Sequence, residues 1–471
     1  MAIKFGTEGW RAVMAEEFTM SNVRLVAQAI AEHYRAQAVQ GRRATLAVGY
    51  DTRFLSDRFA QAISEVLAAN GVRVLLSDRM VPTCAVSRYV KDGGLSAGVM
   101  VTASHNPAVY NGIKVKERYG GSAMSETVAS IERRIGRSRP KRVAFEEALR
   151  TGLVRRVDLL PTFLAGIRSF VDLAAVRRGR SRVVVDSMHG AGGRIIERLL
   201  AGGRCRVETL RAERDPLFGG GAPEPVAENV RQLRARVMRA RAALGIANDG
   251  DADRVAVITP DGRRLHSGIL LCVLLQYLVE VKGQTGGVAT TLSSTVMVKR
   301  MAQELGLPLW EVPVGFKYIV ERMLKDDILI GGEETGGIGV RGYLPERDGI
   351  LNGLLILEAM AVQGRSLARL VGELERRYGC WHSALQNFHL PPAQADRLFA
   401  TLPRWRPAMV DGLRVASFST MDGYKVILED DSWLLFRRSG TEPIVRIYAE
   451  TLTRRRLPQL MRTGIRLARG A

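Results

Sequence analysis

Three aspartates at alternate positions, Asp249, Asp251 and Asp253 in "NDGDADR", form the densest chemistry in the chain. On an extended loop, carboxylates two residues apart can converge on a hard divalent cation through oxygen ligands. Packed this tightly, they repel one another unless a cation sits among them. An EF-hand also begins D-x-D-x-D, but it needs Gly at the sixth position and Glu at the twelfth. Here those places hold Arg254 and Pro260, which excludes it. The spacing predicts a metal loop, with a solvated acidic turn as the plain alternative. Three protein ligands leave coordination positions open, which suits Mg²⁺ sharing a phosphate oxygen.

A second group, "RRSGTEP" at 437–443, combines Arg437, the hydroxyls of Ser439 and Thr441, and Gly440. A guanidinium fork, short hydroxyl donors and an unobstructed amide are the parts of a phosphate clamp. Ser-Gly is also a common turn dipeptide. In "GGEETGG" at 331–337, Glu333 and Thr335 could accept from and donate to vicinal sugar hydroxyls. The loop "VTASHNPAVYNGIKVK" at 101–116 breaks an apolar strand to display Ser104 beside His105. No G-x-S-x-G elbow exists, so this pair is not a hydrolase triad. A serine facing a metal and a phosphate clamp suggests phosphoryl transfer through a phosphoserine. With no Walker A loop and no kinase signature set, a nucleotide donor is not expected. "DSMHGAGGR" mimics a dinucleotide turn but lacks the full G-x-G-x-x-G, and His189 there reads as a turn or core histidine.

The elements that must position these loops alternate. "ATLAVGYD" reads as a strand, "SDRFAQAISEVLAAN" as a helix, and "GVRVLLSD" and "GLSAGVMVTA" as further strands. Such alternation predicts a mainly parallel sheet with helical crossovers. The pattern recurs in a unit opening with "SRVVVD" and in another holding "GGVATTLSS", which raises the possibility of a repeated domain. "TASHNP", "NDGDADR" and "GGEETGG" each follow directly on an apolar strand. Ligands gather outside the carboxyl ends of strands in such sheets, so three loops could face one cleft. After "PPAQADRLFATLPRWRP", a helix and connector, four short strands predict a smaller α+β domain.

At 471 residues the chain exceeds a single core. Its 46% hydrophobic content is that of an ordinary globular protein. No apolar run reaches the ~18–20 residues of a membrane span, and "MAIKFGTEGW" lacks the apolar core of a signal peptide. Cys84, Cys205, Cys272 and Cys380 lie far apart with no CxxC pair, so a reducing cytoplasm is the expected home. The formal charge of +21 invites a nucleic-acid reading. The excess is mostly arginine spread over every segment, with no recognisable nucleic-acid motif, so nucleic acid is disfavoured as a partner. Attraction of anionic ligands is the expected consequence.

Taken together, "TASHNP", "DGDADR", "GEETGG" and "RRSGTEP", in this order and one per domain, resemble the α-D-phosphohexomutases, the phosphoglucomutase/phosphomannomutase superfamily. "FGTEGWRAV", "VGYDTR" and "VGFKYI" are similar to family segments as well. The resemblance covers essentially the full length. It implies three similar α/β domains with mixed sheets and a C-terminal α+β domain of TATA-binding-protein-like shape around a central cleft. We expect these at 1–150, 151–262, 263–378 and 379–471. The resemblance implies that Ser104 carries the phosphoryl group. It implies Mg²⁺ held by Asp249, Asp251, Asp253 and a phosphoserine oxygen of Ser104. Arg11 and Arg254 would stabilise transferring charge, Lys114 would give general acid/base help, and His105 would orient Ser104 or its phosphate. Glu333 and Thr335 would read sugar hydroxyls, while Lys317, Arg437, Ser439, Gly440 and Thr441 would bind substrate.

The implied reaction interconverts hexose 1-phosphate and hexose 6-phosphate, with glucose 1,6-bisphosphate as activator and intermediate. "GEETGG" is closer to the GEESGG of phosphoglucomutases than to the histidine-ending loops of phosphomannomutases and phosphoglucosamine mutases, since Gly337 stands where those place histidine. Glucose phosphate is therefore expected first, mannose phosphate or a bispecific enzyme second, and glucosamine phosphate third. The rivals from other classes are a basic nucleic-acid-binding protein on a mutase fold and a phosphatase using an aspartate nucleophile. Oligomeric state is not legible in the chain.

Overall fold

The computed structural model describes residues 3–6, 8–38, 43–438 and 444–470. Its first sheet comprises Trp10–Val13 (β1), Thr45–Tyr50 (β2), Arg73–Ser77 (β3), Ala97–Val101 (β4), Tyr110–Glu117 (β5) and Val154–Val157 (β6), in the order β1-β5-β4-β2-β3-β6. The short apolar runs become strands because both sheet faces are covered; all five residues of β4 are buried. The covering helices carry the matching stripe. In Ser56–Ala69, for example, Phe59, Ile63, Val66 and Leu67 turn inward. The strand β6 lies beyond residue 150, on the far side of the expected first boundary, yet it pairs with β3.

A second sheet is built from Arg182–Asp186 (β7), Arg206–Leu210 (β8), Leu244–Asn248 (β9) and Val255–Ile258 (β10). A third is built from Gly287–Thr291 (β11), Leu309–Val312 (β12), Ile328–Gly332 (β13) and Ile338–Val340 (β14). Their orders, β8-β7-β9-β10 and β12-β11-β13-β14, repeat β3-β2-β4-β5 of the first sheet. In each unit three strands run parallel and the fourth returns antiparallel beside the third. The repetition suspected from the alternation of elements is therefore present as topology. The loops bearing Ser104, the three aspartates and Glu333 occupy one equivalent place, the hairpin from third strand to fourth. That place lies at the carboxyl end of a parallel strand.

One apolar cluster runs through the first three units and on to Trp433, Leu435 and Tyr448. At its centre lies the helix Gly349–Gln363, buried from Gly349 through Met360 and capped by Asp348, which accepts from the Leu351 amide at 2.9 Å. A helix apolar on all sides must be covered on all sides. Here the helices Leu173–Arg178 and Ser267–Gln276 and strand β10 provide that cover, locking the second and third units together.

The C-terminal domain is an antiparallel sheet of His382–His389 (β15), Met409–Val410 (β16), Leu413–Ser419 (β17), Tyr424–Leu428 (β18), Trp433–Arg438 (β19) and Ile444–Thr451 (β20), in the order β15-β20-β19-β18-β17-β16. The helices Pro392–Thr401 and Leu457–Arg469 pack on it. Among the described residues no helix is long and apolar enough to cross a membrane.

Candidate active site

Ser104 sits on the turn leaving β4 with φ of +52°, a left-handed conformation that a non-glycine residue adopts only when its surroundings impose it. The surroundings here are buried and polar. The Ser104 amide donates to Thr102 Oγ1 at 2.8 Å, and Thr102 Oγ1 donates in turn to Asp51 Oδ2 at 2.6 Å. Arg53, fully buried and paired with Asp51 at 3.2 Å, donates to four carbonyls of the same turn: Ser104 at 2.7 Å, Asn106 at 2.6 Å, Pro107 at 2.9 Å and Tyr110 at 3.0 Å. This brace was not anticipated. Its residues stand in "VGYDTR", a segment whose resemblance was noted without a role.

The brace delivers the Ser104 hydroxyl to the second unit, where it donates to Asp249 Oδ2 at 2.8 Å. Gly250 makes that approach possible, because a Cβ there would lie 2.5 Å from the Ser104 carbonyl oxygen. The loop of the three aspartates is braced from both sides. Thr83 of the first unit donates its amide to the Asp251 carbonyl at 3.1 Å, and its hydroxyl also reaches Asp251. Ala191, in the "DSMHGAGGR" turn, donates to the Gly250 carbonyl at 2.9 Å. His189 in that turn meets the Glu213 carbonyl at 2.9 Å, as a turn residue should.

Asp249, Asp251 and Asp253 are fully buried and present carboxylate oxygens within 4.8 Å of one another. Burial, then Asp253 and Asp251, push the Asp249 carboxyl well above its usual range. Burial also acts to raise Asp253, but Arg347 and Lys114 outweigh it and hold that carboxyl well below. Asp251 Oδ1 and Asp253 Oδ1 are buried with no hydrogen-bond partner among the described residues. Clustered anionic oxygens left unpaired in this way fit a hard divalent cation, and the hydroxyl of Ser104 stands at their edge.

Lys114, on β5, donates to Asp251 Oδ2 and Asp253 Oδ2, each at 2.7 Å. Burial would favour the neutral amine, but these carboxylates and Glu8 raise its pKa and keep the ammonium charged. Arg11 on β1 donates to Asn106 Oδ1 at 2.8 Å, inside the Ser104 loop. Burial, Arg254 and Arg11 push the His105 imidazole well below its usual pKa, so the ring is neutral, and its Nδ1 lacks a partner among the described residues. Arg254 is buried at the end of the 249–253 loop, with its amide on Asp249 Oδ1 at 3.1 Å.

From the third unit, the carbonyl of Gly336 accepts from the Val255 amide at 3.0 Å, joining β10 to the loop after β13. Glu333 is buried; its Oε1 accepts from Thr335 Oγ1, and burial raises its pKa against the pull of Arg347 and Arg254. Lys317, on the helix Phe316–Lys325, reaches Ser125 Oγ of the first unit at 3.4 Å. Arg437 on β19 pairs with Asp422 at 2.7 Å, and the same carboxylate oxygen accepts from the Val314 amide at 2.9 Å. The C-terminal guanidinium is thereby tied to the "VGFKYI" segment. Ser439, Gly440 and Thr441 lie outside the described residues. Three further charged residues went unforeseen: Glu8, Glu346 and Arg347. Glu8 pairs with Lys114 at 3.4 Å, Lys116 at 3.6 Å and Arg347, and its carboxyl falls to about 2 because these cations outweigh burial.

Comparison with known proteins agrees with this geometry. The family profiles "Phosphoglucomutase/phosphomannomutase, alpha/beta/alpha" domains I, II and III match residues 2–142, 161–262 and 267–378. A phosphoglucomutase/phosphomannomutase of Thermococcus kodakarensis is 29% identical over 463 residues, covering 98% of each chain. A phosphoglucosamine/phosphogalactosamine mutase of Sulfurisphaera tokodaii is 30% identical over 454 residues, 95% of this chain and 94% of its own. Among solved structures, a protein of Thermus thermophilus assigned to the phosphomannomutases superposes with a TM-score of 0.87 at 34% identity, covering 100% of this chain and 99% of that one. The chain belongs to the phosphoglucomutase/phosphomannomutase family. It is a phosphohexomutase, an intramolecular phosphotransferase.

Proposed function

We propose that the protein interconverts glucose 1-phosphate and glucose 6-phosphate through phospho-Ser104 and glucose 1,6-bisphosphate. The observation that carries this reading is the Ser104 hydroxyl, held 2.8 Å from Asp249 at the rim of a buried carboxylate cluster supplied by another unit. Phosphoryl transfer needs in-line positioning and stabilisation of charge more than covalent assistance. In the forward half-reaction the P–O bond to Ser104 breaks, a P–O bond to a sugar hydroxyl forms, and the proton that this hydroxyl loses ends on the departing Ser104 oxygen. The bisphosphate then turns end for end, and the other phosphoryl group returns to Ser104.

Each chain element has a task in this cycle. Arg53 and Thr102 hold Ser104 in its turn. Lys114 and Arg254 supply fixed positive charge beside the transferring group, and Arg11 adds charge through the Ser104 loop. In this arrangement Lys114 is an ammonium that can donate a proton but not accept one, which narrows the acid/base help expected of it to the acid side. The neutral His105 can accept a hydrogen bond from the phosphorylated loop or its ligand. Glu333 and Thr335 contact sugar hydroxyls. Lys317, Arg437, Ser439, Gly440 and Thr441 bind the phosphosugar, the last four gripping the phosphate that does not react. Asp249, Asp251, Asp253 and a Ser104 phosphate oxygen would hold Mg²⁺, which neutralises phosphate charge and polarises the phosphoryl group when bound.

Asp251→Asn is expected to raise the Mg²⁺ concentration for half-activation and lower turnover by about 10- to 100-fold, because the cluster loses a charged oxygen ligand. Isothermal titration with Mg²⁺ and a rate series over Mg²⁺ concentration measure this directly. A wild-type Mg²⁺ response would reduce the triple aspartate to an acidic turn.

The substrate reading is tested by coupled assay with glucose 1-phosphate, mannose 1-phosphate and glucosamine 1-phosphate, in Mg²⁺ and a trace of glucose 1,6-bisphosphate. Glucose and mannose differ only at C2, so kcat/KM should favour glucose by no more than about 1–3 kcal/mol. Glu333→Ala should impair both sugars together by roughly 1–3 kcal/mol for each hydroxyl left unpaired. Loss of one sugar with the other spared would refute the shared-hydroxyl role. The name of the Sulfurisphaera relative supports a second reading, an amino sugar phosphate, and a glucosamine rate above glucose would establish it. No turnover of any hexose phosphate, together with tight salt-sensitive RNA binding, overturns the proposal.

A further inference from the structure

Gly337 closes the sugar loop where it enters β14, and its φ is not in the left-handed region. What the fold uses here is the missing side chain. A Cβ at this position would lie 2.4 Å from Arg347 Cδ, 3.4 Å from its Cβ and 3.5 Å from its Cγ. The stem of Arg347 fills the space that any other residue at 337 would claim. Through that gap the guanidinium reaches carboxylates from three distant parts of the chain: Glu8, Asp253 at 3.1 Å and Glu333 Oε1 at 3.4 Å. The Phe316 ring lies 5.5 Å away, and the Arg347 side chain is 3% exposed.

The bonding at Glu333 is uneven. Its Oε1 takes both Thr335 and Arg347, while Oε2 is buried with no partner among the described residues. A carboxylate pinned through one oxygen presents the other in a fixed direction. A network kept for stability alone satisfies its own polar atoms. Here Glu333 Oε2, Asp253 Oδ1 and Arg347 Nε are all left without partners among the described residues, within one cluster. The polar assembly is thus braced but incomplete.

We infer that Arg347 is a positioning residue of the mutase reaction: entering through the gap at Gly337, it fixes Glu333 so that one oxygen is left for a sugar hydroxyl, and ties that loop to the metal loop through Asp253. The inference rests on the reading of Glu333 as a sugar contact. Arginine suits the task because its planar fork holds separate carboxylates at once, whereas an ammonium is a single point charge.

The test compares wild type with Gly337→Ala, Arg347→Lys, Arg347→Ala, the Gly337→Ala/Arg347→Ala double variant and Glu333→Ala. The readouts are kcat and KM for glucose 1-phosphate and the inhibition constant of inorganic phosphate, which carries no sugar hydroxyl. Gly337→Ala removes no charge, and it should raise KM about tenfold or more by displacing the Arg347 stem, with phosphate inhibition unchanged. Arg347→Lys should shift KM in the same direction. The double variant should be no worse than Arg347→Ala, since both changes disable one device. A wild-type KM in Gly337→Ala overturns the inference, and so do effects that multiply in the double variant. If Arg347→Ala does not fold, Gly337→Ala and Arg347→Lys decide the matter. An impaired Glu333→Ala beside a normal Gly337→Ala refutes the Arg347 role alone. An unaffected Glu333→Ala refutes the sugar-contact reading, and this inference with it.

Discussion

Ser104→Ala is expected to abolish mutase turnover, by about 10⁴-fold or more, while leaving the fold intact. Among the described residues the hydroxyl has one partner, Asp249 at 2.8 Å, and the turn that carries it is held by bonds to backbone atoms that alanine retains. Removing the oxygen therefore removes the proposed phosphoryl carrier without loosening the brace. Intact mass should show a wild-type fraction one phosphoryl group heavier, mapping to Ser104, and none in the variant. A phosphoryl group found on an aspartate of the 249–253 loop, with free phosphate released, would sink the phosphoserine mechanism and favour a phosphatase.

Arg53→Ala should have the largest effect on stability, about 3–5 kcal/mol, because it leaves the buried Asp51 carboxyl without its counter-ion. Burial already raises the Asp51 pKa against the pull of Arg53, so loss of the guanidinium favours the protonated acid. The same change frees four carbonyls of the Ser104 turn, so turnover should fall even where the protein stays folded. Arg53→Lys separates the two effects. A lysine can pair with Asp51 but cannot span the four carbonyls, so denaturant midpoints should recover partly while Ser104 phosphorylation and kcat stay depressed. A lysine variant with wild-type kcat would make Arg53 a fold residue only.

The topology of the first three units was foreshadowed by apolar runs at regular spacing, and the site loops by their position after those runs. The strand His382–His389 was not read from the sequence, for a physical reason. It is the edge of the C-terminal sheet, most of its residues are exposed, and it carries little of the apolar alternation that marks a buried strand. Arg53 and Arg347 were hidden differently. In a chain with 69 lysines and arginines, nothing local distinguishes a buried guanidinium from a solvated one.

What the sequence alone determined is the grouping of polar side chains within single loops: the spacing of Asp249, Asp251 and Asp253, the display of Ser104, and the carboxylate and hydroxyl of Glu333 and Thr335. Groups proposed to act on one ligand atom or a few lie within a few residues of one another, and their pattern survives in one dimension. Only the tertiary structure decided which loops meet and in what charge state. Ser104 reaches Asp249 across 145 positions and Arg347 reaches Glu8 across 339, separations that no local pattern encodes. The ammonium of Lys114, the neutral ring of His105 and the divided titration of Asp249 and Asp253 follow from burial and from neighbours supplied by other units. A side chain's charge depends on the summed field around it, and that field exists only once the units have packed.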